Sequence, residues 1–190
     1  MYYYPGCPIG TEFDFEEGPK SLEHWVRTGT AFNNQPTFGD NPTARSREPS
    51  SCIGNYWIGG YENRTNPQVT AGNHGSDVYI GTLTSPEFVI TGKMVNFLVG
   101  GGCDISLVSV NLVVAGNFVR RATGKCKETM SRVSWNVEEF KGMKAKLQLV
   151  DHTDGKWGHI NFDDFRGDIA YCKGNWNGLV IFVIHPADEQ

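Results

Sequence analysis

Chemistry in this sequence has to come from a few side chains whose types and spacing suggest a job. Asp14, Glu16 and Glu17 lie early, and Asp163 and Asp164 lie late. Carboxylates gathered at one point repel each other unless a hard cation sits among them, and oxygen donors suit Ca2+. In a sandwich whose first and last strands are neighbours, Asp14, Glu16, Asp163 and Asp164 come together and can form a structural calcium site. The alternative is that they point outward as solvated groups on exposed faces. A second cluster joins Asp151 to Trp157-Gly158-His159. An aspartate that orients an imidazole is half of a catalytic apparatus. No nucleophile motif accompanies it, so His159 reads as a structural or binding histidine. Trp157 can stack on a sugar ring or fill the core, since tryptophan buries well in either setting. A third set is Arg45, Arg47, Tyr56, Trp57, Tyr61, Glu62 and Asp104. Sugar sites pair an aromatic platform with fork-like polar groups, and this set supplies both. The alternative is that Tyr56 and Trp57 form a strand that anchors the chain while the charges face water. Gly100-Gly101-Gly102 is no phosphate loop, because no Gly-Lys-Ser/Thr follows and no helix begins there.

The elements that must position these groups are strands. Twenty-three glycines and nine prolines break up short β-branched and aromatic runs. Those runs fall at 12–15, 87–90, 94–99, 108–114, 118–122, 145–150, 160–165 and 179–184. Their spacing predicts an all-β, antiparallel sandwich. Ala115-Gly116-Asn117 reads as a hairpin turn. Residues 135–140 form one helical turn or a plain connection. Residues 33–81 are rich in Asn, Pro, Thr, Ser and Gly and form a long loop, which in a compact domain is functional or disordered. Phe38, Tyr56, Trp57 and Tyr61 within it require that part of it packs. Arg166-Gly167-Asp168 matches an adhesion tripeptide that also occurs by chance.

A net charge of −4 with no basic cluster excludes a nucleic-acid partner, and no apolar run is long enough to insert in a membrane. Of the five cysteines, Cys7, Cys52, Cys103, Cys126 and Cys172, none forms a Cys-x-x-Cys pair, so zinc is excluded by spacing. They are reduced thiols of a cytosolic protein, or two disulfides and an odd thiol in a secreted one. The sequon Asn63-Arg64-Thr65 favours the secreted reading and makes Asn63 a glycosylation candidate. The opening Met1-Tyr2-Tyr3-Tyr4 lacks the pattern of a signal peptide, so the expectation is a removed signal or a segment of a longer chain.

In order along the chain come Asp14-Phe15-Glu16, Trp25 and Gly-Thr-Ala-Phe at 29–32. Gly-Thr-Leu-Thr-Ser-Pro-Glu-Phe follows at 81–88, and Asn-Phe-Leu-Val-Gly-Gly-Gly at 96–102. Val-Asn-Leu-Val-Val-Ala-Gly at 110–116 then runs into Val-Arg-Arg-Ala-Thr-Gly at 119–124. Trp-Asn-Val at 135–137, Lys-Gly-Met-Lys-Ala at 141–145 and Leu-Val-Asp at 149–151 come next, and Trp-Gly-His-Ile-Asn-Phe-Asp-Asp closes the series at 157–164. In this order, over residues 13–165, the chain resembles the module found with levanase-type glycoside hydrolases of family 32, which belongs with the family 66 carbohydrate-binding modules. The resemblance implies a jelly-roll-like sandwich of concanavalin or galactose-binding type, a non-catalytic lectin-like role, and added weight for structural Ca2+. The long 33–81 loop and the core positions of Cys103 and Cys126 depart from the bacterial pattern, so fructan specificity does not carry over. A looser similarity to MAM-type adhesion domains lies in the early Asp-Phe-Glu, Leu83-Thr84-Ser85-Pro86 and the late Asp-Asp. It implies adhesion or assembly through the long loop or Cys52.

With residues 1–190 as one domain and 166–190 as its C-terminal extension, Cys103 pairs with Cys126 across the hairpin-like segment. Cys7 and Cys172 flank the matched region and pair as well. The ligand residues are then Arg45, Tyr56, Trp57, Asp104, Trp157 and His159. The expected partner is a glycan, in a secreted or cell-surface setting.

Overall fold

Residues at every second position point to one side of a strand, and in this chain those positions are apolar. Val108, Val110, Leu112 and Val114 are buried together with Ala145, Leu147 and Leu149, and so are Val95, Phe97 and Val99. In the computed structural model, which describes residues 8–172, these runs are central strands of an all-β fold. In chain order the strands are β1 (Ile9–Phe13), β2 (Val26–Gly29), β3 (Thr37–Phe38), β4 (Tyr56–Gly59), β5 (Gly81–Thr84) and β6 (Phe88–Gly101). They continue with β7 (Val108–Val114), β8 (Asn117–Ala122), β9 (Lys127–Asn136), β10 (Lys144–Asp151) and β11 (Ile160–Cys172).

All pairings are antiparallel. On one side β11 lies between β6 and, end to end along its other edge, β4 and β1, while β9 borders β6. On the other side β10 joins β5 and β7, with β2 outside β5 and β8 outside β7. The start of β6 also pairs with β10, through Val89–Lys144 and Phe88–Ala145, so one sheet curls over and packs against itself. The core between its halves holds Phe97, Phe162 and Phe165 against Leu83, Leu112, Leu147 and Leu149. The hairpin at 115–117 forms as the sequence indicates. Ala115 and Gly116 both take positive φ, 49° and 80°, which suits a two-residue turn between twisted strands.

Several expectations change, and β2 and β5 are strands that the expected runs lack. The runs at 87–90 and 94–99 are one continuous strand, β6. β9 was not expected, because charged residues interrupt its apolar ones: only Glu128, Met130 and Trp135 are buried along it. Residues 33–81 are not a loop in the simple sense. They contain β3, β4 and a 3-10 turn, Asn41–Arg45. This segment also lies over the outer side of the sheet. There Trp57 packs with Leu98 and Met130, and Ser50 accepts the N–H of Met130. Residues 135–140 end β9 and form a short 3-10 turn, Glu138–Phe140.

The disulfide Cys103–Cys126 is present and ties the end of β6 to the start of β9. Cys52 is unpaired and half-buried beside Trp57. Cys172 is disulfide-bonded; its expected partner, Cys7, lies outside the described residues, as does the run at 179–184. No helix among the described residues is long and apolar enough to cross a membrane.

Candidate functional site

The outer segment meets the sheet around a cavity of about 510 Å3, in the size range of small-molecule sites. Arg45, Arg47, Tyr61, His74, Asp77, Glu128, Lys156, Trp157 and His159 line it. Each comes from a different piece of local structure. Arg45 ends the 3-10 turn Asn41–Arg45, and Ser46 after it takes φ 57°. Tyr61 is held where Glu62 and His74 form an isolated bridge. Glu128 belongs to β9. Trp157 (φ 62°) and His159 lie in the turn that enters β11. That turn passes so close to the glycine triplet that a Cβ on Gly101 would meet the His159 carbonyl at 2.5 Å. Gly101 also has φ 79°. The triplet is there for close approach, not for binding phosphate.

His159 sits at the floor, 3% exposed. Its Nδ1 is 2.8 Å from an oxygen of Asp77. Its Nε2 is 3.6 Å from Glu128, too far for a hydrogen bond, and makes none. Burial works against a charged imidazole. The bond to Asp77 and the field of Glu128 outweigh it, and the pKa is raised to about 9. Glu128 is half of the same balance: burial pushes its pKa up, but His159, Asn161 and Arg47 pull it below the usual carboxylate value. Arg47 lies 3.3 Å from Glu128 and over the ring of Trp157. Arg45 grips Glu62 with two bonds of 2.6 Å and lies over Tyr61. Tyr61 stacks on His74 with centroids 4.8 Å apart and 10° between planes. The result is a polar floor carrying both charges, with aromatic walls held in place by cations.

The linkage sign follows from the direction of the shift. The folded-state pKa of His159 lies above the ordinary 6.5, so its contribution to stability is fully present below about pH 6.5 and is lost as pH rises through about 9. Asp163, raised to about 8 chiefly by burial, adds a loss in the same direction. The melting temperature should therefore fall between pH 7 and pH 9.5, and His159→Gln should flatten that fall. An equal slope in the variant would remove His159 from the account.

Of the sequence-derived ligand residues, the structure gathers Arg45, Trp157 and His159 into the cavity. It does not bring in the other three. Trp57 is 0% exposed, with its Nε1–H donated to the Gly39 carbonyl. Tyr56 packs edge-on to Phe38 and against the main core. Asp104 accepts the N–H and hydroxyl of Ser106 within its own turn. Asp151 is not the partner of His159. It is buried, its pKa raised to about 7 mainly by that burial. Asp77 and Glu128 escaped the sequence reading, and no local pattern marks either. Tyr61 and Arg47 were in the aromatic and basic set but not among the chosen ligands.

The carboxylates of the expected cation site separate into two groups. Burial raises Asp163, and the charges of Glu16 and Asp14 raise it further, so these three share a field. Asp163 accepts the N–H of Ile53 and of Asp164. Glu16 accepts those of Asn55 and Tyr56. Asp164 belongs elsewhere, held between Arg132 and Arg166. Among the described residues no three His, Cys, Asp or Glu side chains converge closely enough, as they stand, to hold a metal. In the adhesion-like tripeptide, Asp168 accepts the backbone N–H groups of Lys93 and Met94, an internal use.

No protein-family model matches the chain. In sequence it is similar to a protein of Aspergillus rugulosus that bears the name glycosyl hydrolase ecdE, with 33% identity over 165 residues. That match takes in 86% of this chain and 22% of the relative, so the chain spans about a fifth of that protein's length. Among solved structures it is similar to a cleaved adhesin domain of Lys-gingipain from Porphyromonas gingivalis, with 11% identity, TM-score 0.45, and 88% and 99% of the two chains covered. It is also similar to a family 35 carbohydrate-binding module from an environmental isolate, with 13% identity, TM-score 0.33, and 66% and 86% covered.

Proposed function

We propose that this chain is a non-catalytic carbohydrate-binding module of a larger secreted protein, and that its sugar sits in the cavity between Tyr61 and Trp157. The observation that carries this reading is the convergence of two part-exposed aromatic rings with Arg47, Lys156 and the buried His159 on one cavity. Ring faces take the C–H side of a sugar, while guanidinium, imidazolium and carboxylate take its hydroxyls. The name of the Aspergillus relative, a glycosyl hydrolase, favours a saccharide as the ligand and is neutral on whether this segment is catalytic. The Cys103–Cys126 bond suits an oxidising compartment.

Hydrolysis by this cavity is disfavoured on chemical grounds. A glycosidase needs one carboxyl held protonated beside a second that is ionised. Here His159 and Arg47 draw Glu128 below its ordinary range, so it is not held protonated as an acid, and the other carboxylate of the cavity, Asp77, is taken up by His159. The competing reading, assembly with other chains, has one feature in its favour: Val26, Val78, Tyr79 and Ile80 are exposed. Cross-linking through Cys52 is disfavoured by its packing against Trp57. For calcium the grouped carboxylates are a poor fit: Asp14, Glu16 and Asp163 do not converge on one point, the last two already accept backbone N–H groups, and Asp164 is held by Arg132 and Arg166.

A glycan array probed with the purified chain, in calcium and again in chelator, tests the proposal. One sugar class should bind, and Trp157→Ala should weaken it about ten-fold or more, the loss of one stacking platform. Loss of signal in chelator would tie the cation to the site. A folded sample that binds no sugar in either condition would transfer the function to assembly.

A further inference from the structure

The cavity does not end at Trp157. On the far side of that ring lies a second one, about 310 Å3, lined by Ser46, Arg47, Glu48, Cys126, Lys127, Glu128 and Trp157. Arg47, Glu128 and Trp157 are walls of both. Among the shared groups, the half-exposed Arg47 guanidinium lies over the indole and 3.3 Å from Glu128. The outer space also has a rigid floor. The disulfide fixes Cys126 to Cys103, and Thr123 donates its hydroxyl to the Gly102 carbonyl.

Resting on the carbohydrate reading above, we propose that the site is a groove taking two consecutive units of a saccharide chain, one on each side of Trp157. The inner unit lies over His159 and Tyr61, and the outer one over the disulfide between Ser46 and Lys127. Two features carry this beyond mere adjacency. The side chains of Ser46, Glu48 and Lys127 make no hydrogen bond or ion pair within the described residues, so their donors and acceptors are open to hydroxyls. The backbone of Ser46 and Arg47 is fixed, their N–H groups being donated to the carbonyls of Thr43 and Pro42, so on this side only side chains have to be ordered on binding. A third cavity on the opposite side shares only His74 with the inner one, and Asn63, the sequon asparagine, lines it. A glycan on Asn63 would lie at that end, which leaves the Lys127 end for chain extension.

Calorimetric titration with matched series tests this, using the methyl glycosides, disaccharides and trisaccharides of glucose, galactose, mannose and fructose. In the series that binds, the disaccharide should exceed the methyl glycoside by about five-fold, the gain expected from one or two added hydrogen bonds, with little more from the trisaccharide. The Ser46→Ala/Lys127→Ala double variant, both positions being exposed, should lose that gain. A disaccharide no tighter than its methyl glycoside would overturn the groove and leave the carbohydrate reading standing. So would a gain that survives in the double variant but vanishes in Asn34→Ala, which lies at the His74 end. If no member of any series binds, both fall together.

Discussion

Arg45→Ala is expected to destabilise the protein by about 3–5 kcal/mol, the cost of leaving a buried charge without its partner. The Glu62 side chain is 0% exposed, and its two oxygens take the two Arg45 bonds. Asn41 is its other side-chain donor, and it also ties Glu62 to the Asn73 carbonyl and the Gly72 N–H. Removing the guanidinium leaves a carboxylate that must draw in water, protonate or open the segment around it. For a domain of this size, the loss corresponds to a melting temperature lower by about 10 °C. Because Glu62 also pairs with His74, the Tyr61–His74 stack should loosen, and sugar binding should fail with it. The Arg45→Met/Glu62→Gln double variant should recover much of the stability, since it removes both charges, but none of the binding. A melting temperature for Arg45→Ala within a degree or two of the parent would mean that the pair is solvated in solution.

The second large effect belongs to the disulfide. Cys103 and Cys126 are separated by 23 positions, and a loop of that length ties up about 3 kcal/mol of unfolded-state freedom in the chain-entropy account. The Cys103→Ser/Cys126→Ser variant should unfold at lower denaturant, with a slope equal to or steeper than the parent's, since the unfolded chain without the cross-link exposes more surface. The consequence for the site is more specific. The bond clamps the end of β6 to the start of β9, where Glu128 faces His159 and Arg47. Freed, that edge should shift Glu128, so affinity for disaccharides should fall more than affinity for methyl glycosides. The variant is preferable to a reducing agent, which would also attack the bond at Cys172. Equal denaturation midpoints for parent and variant would show that the bond adds no stability.

These two sites also divide what sequence can settle from what it cannot. The sequence by itself determined the all-β class, the hairpin at Ala115-Gly116, the strands at 108–114 and 145–150, and the Cys103–Cys126 pairing. The class, the strands and the hairpin depend on period-two apolar spacing or on neighbours a few positions apart, where local sterics and burial decide, and the disulfide follows because a hairpin-like segment returns the chain between its two cysteines. It also indicated Arg45, Trp157 and His159, whose chemistry is unusual enough to stand out. β9 was hidden because one of its faces is polar and its buried positions include Glu128, a charge that is tolerable only beside His159, Asn161 and Arg47. Trp57 was misread because an apolar run looks the same as a platform or as a strand. The pairing of β4 with β11, at Ile58–Phe162, is what turns the indole toward Leu98 and Met130. Asp77, 82 positions before its partner His159, could come only from the fold. A buried charge takes its meaning from the group that compensates it, and tertiary structure alone decides which distant group that is.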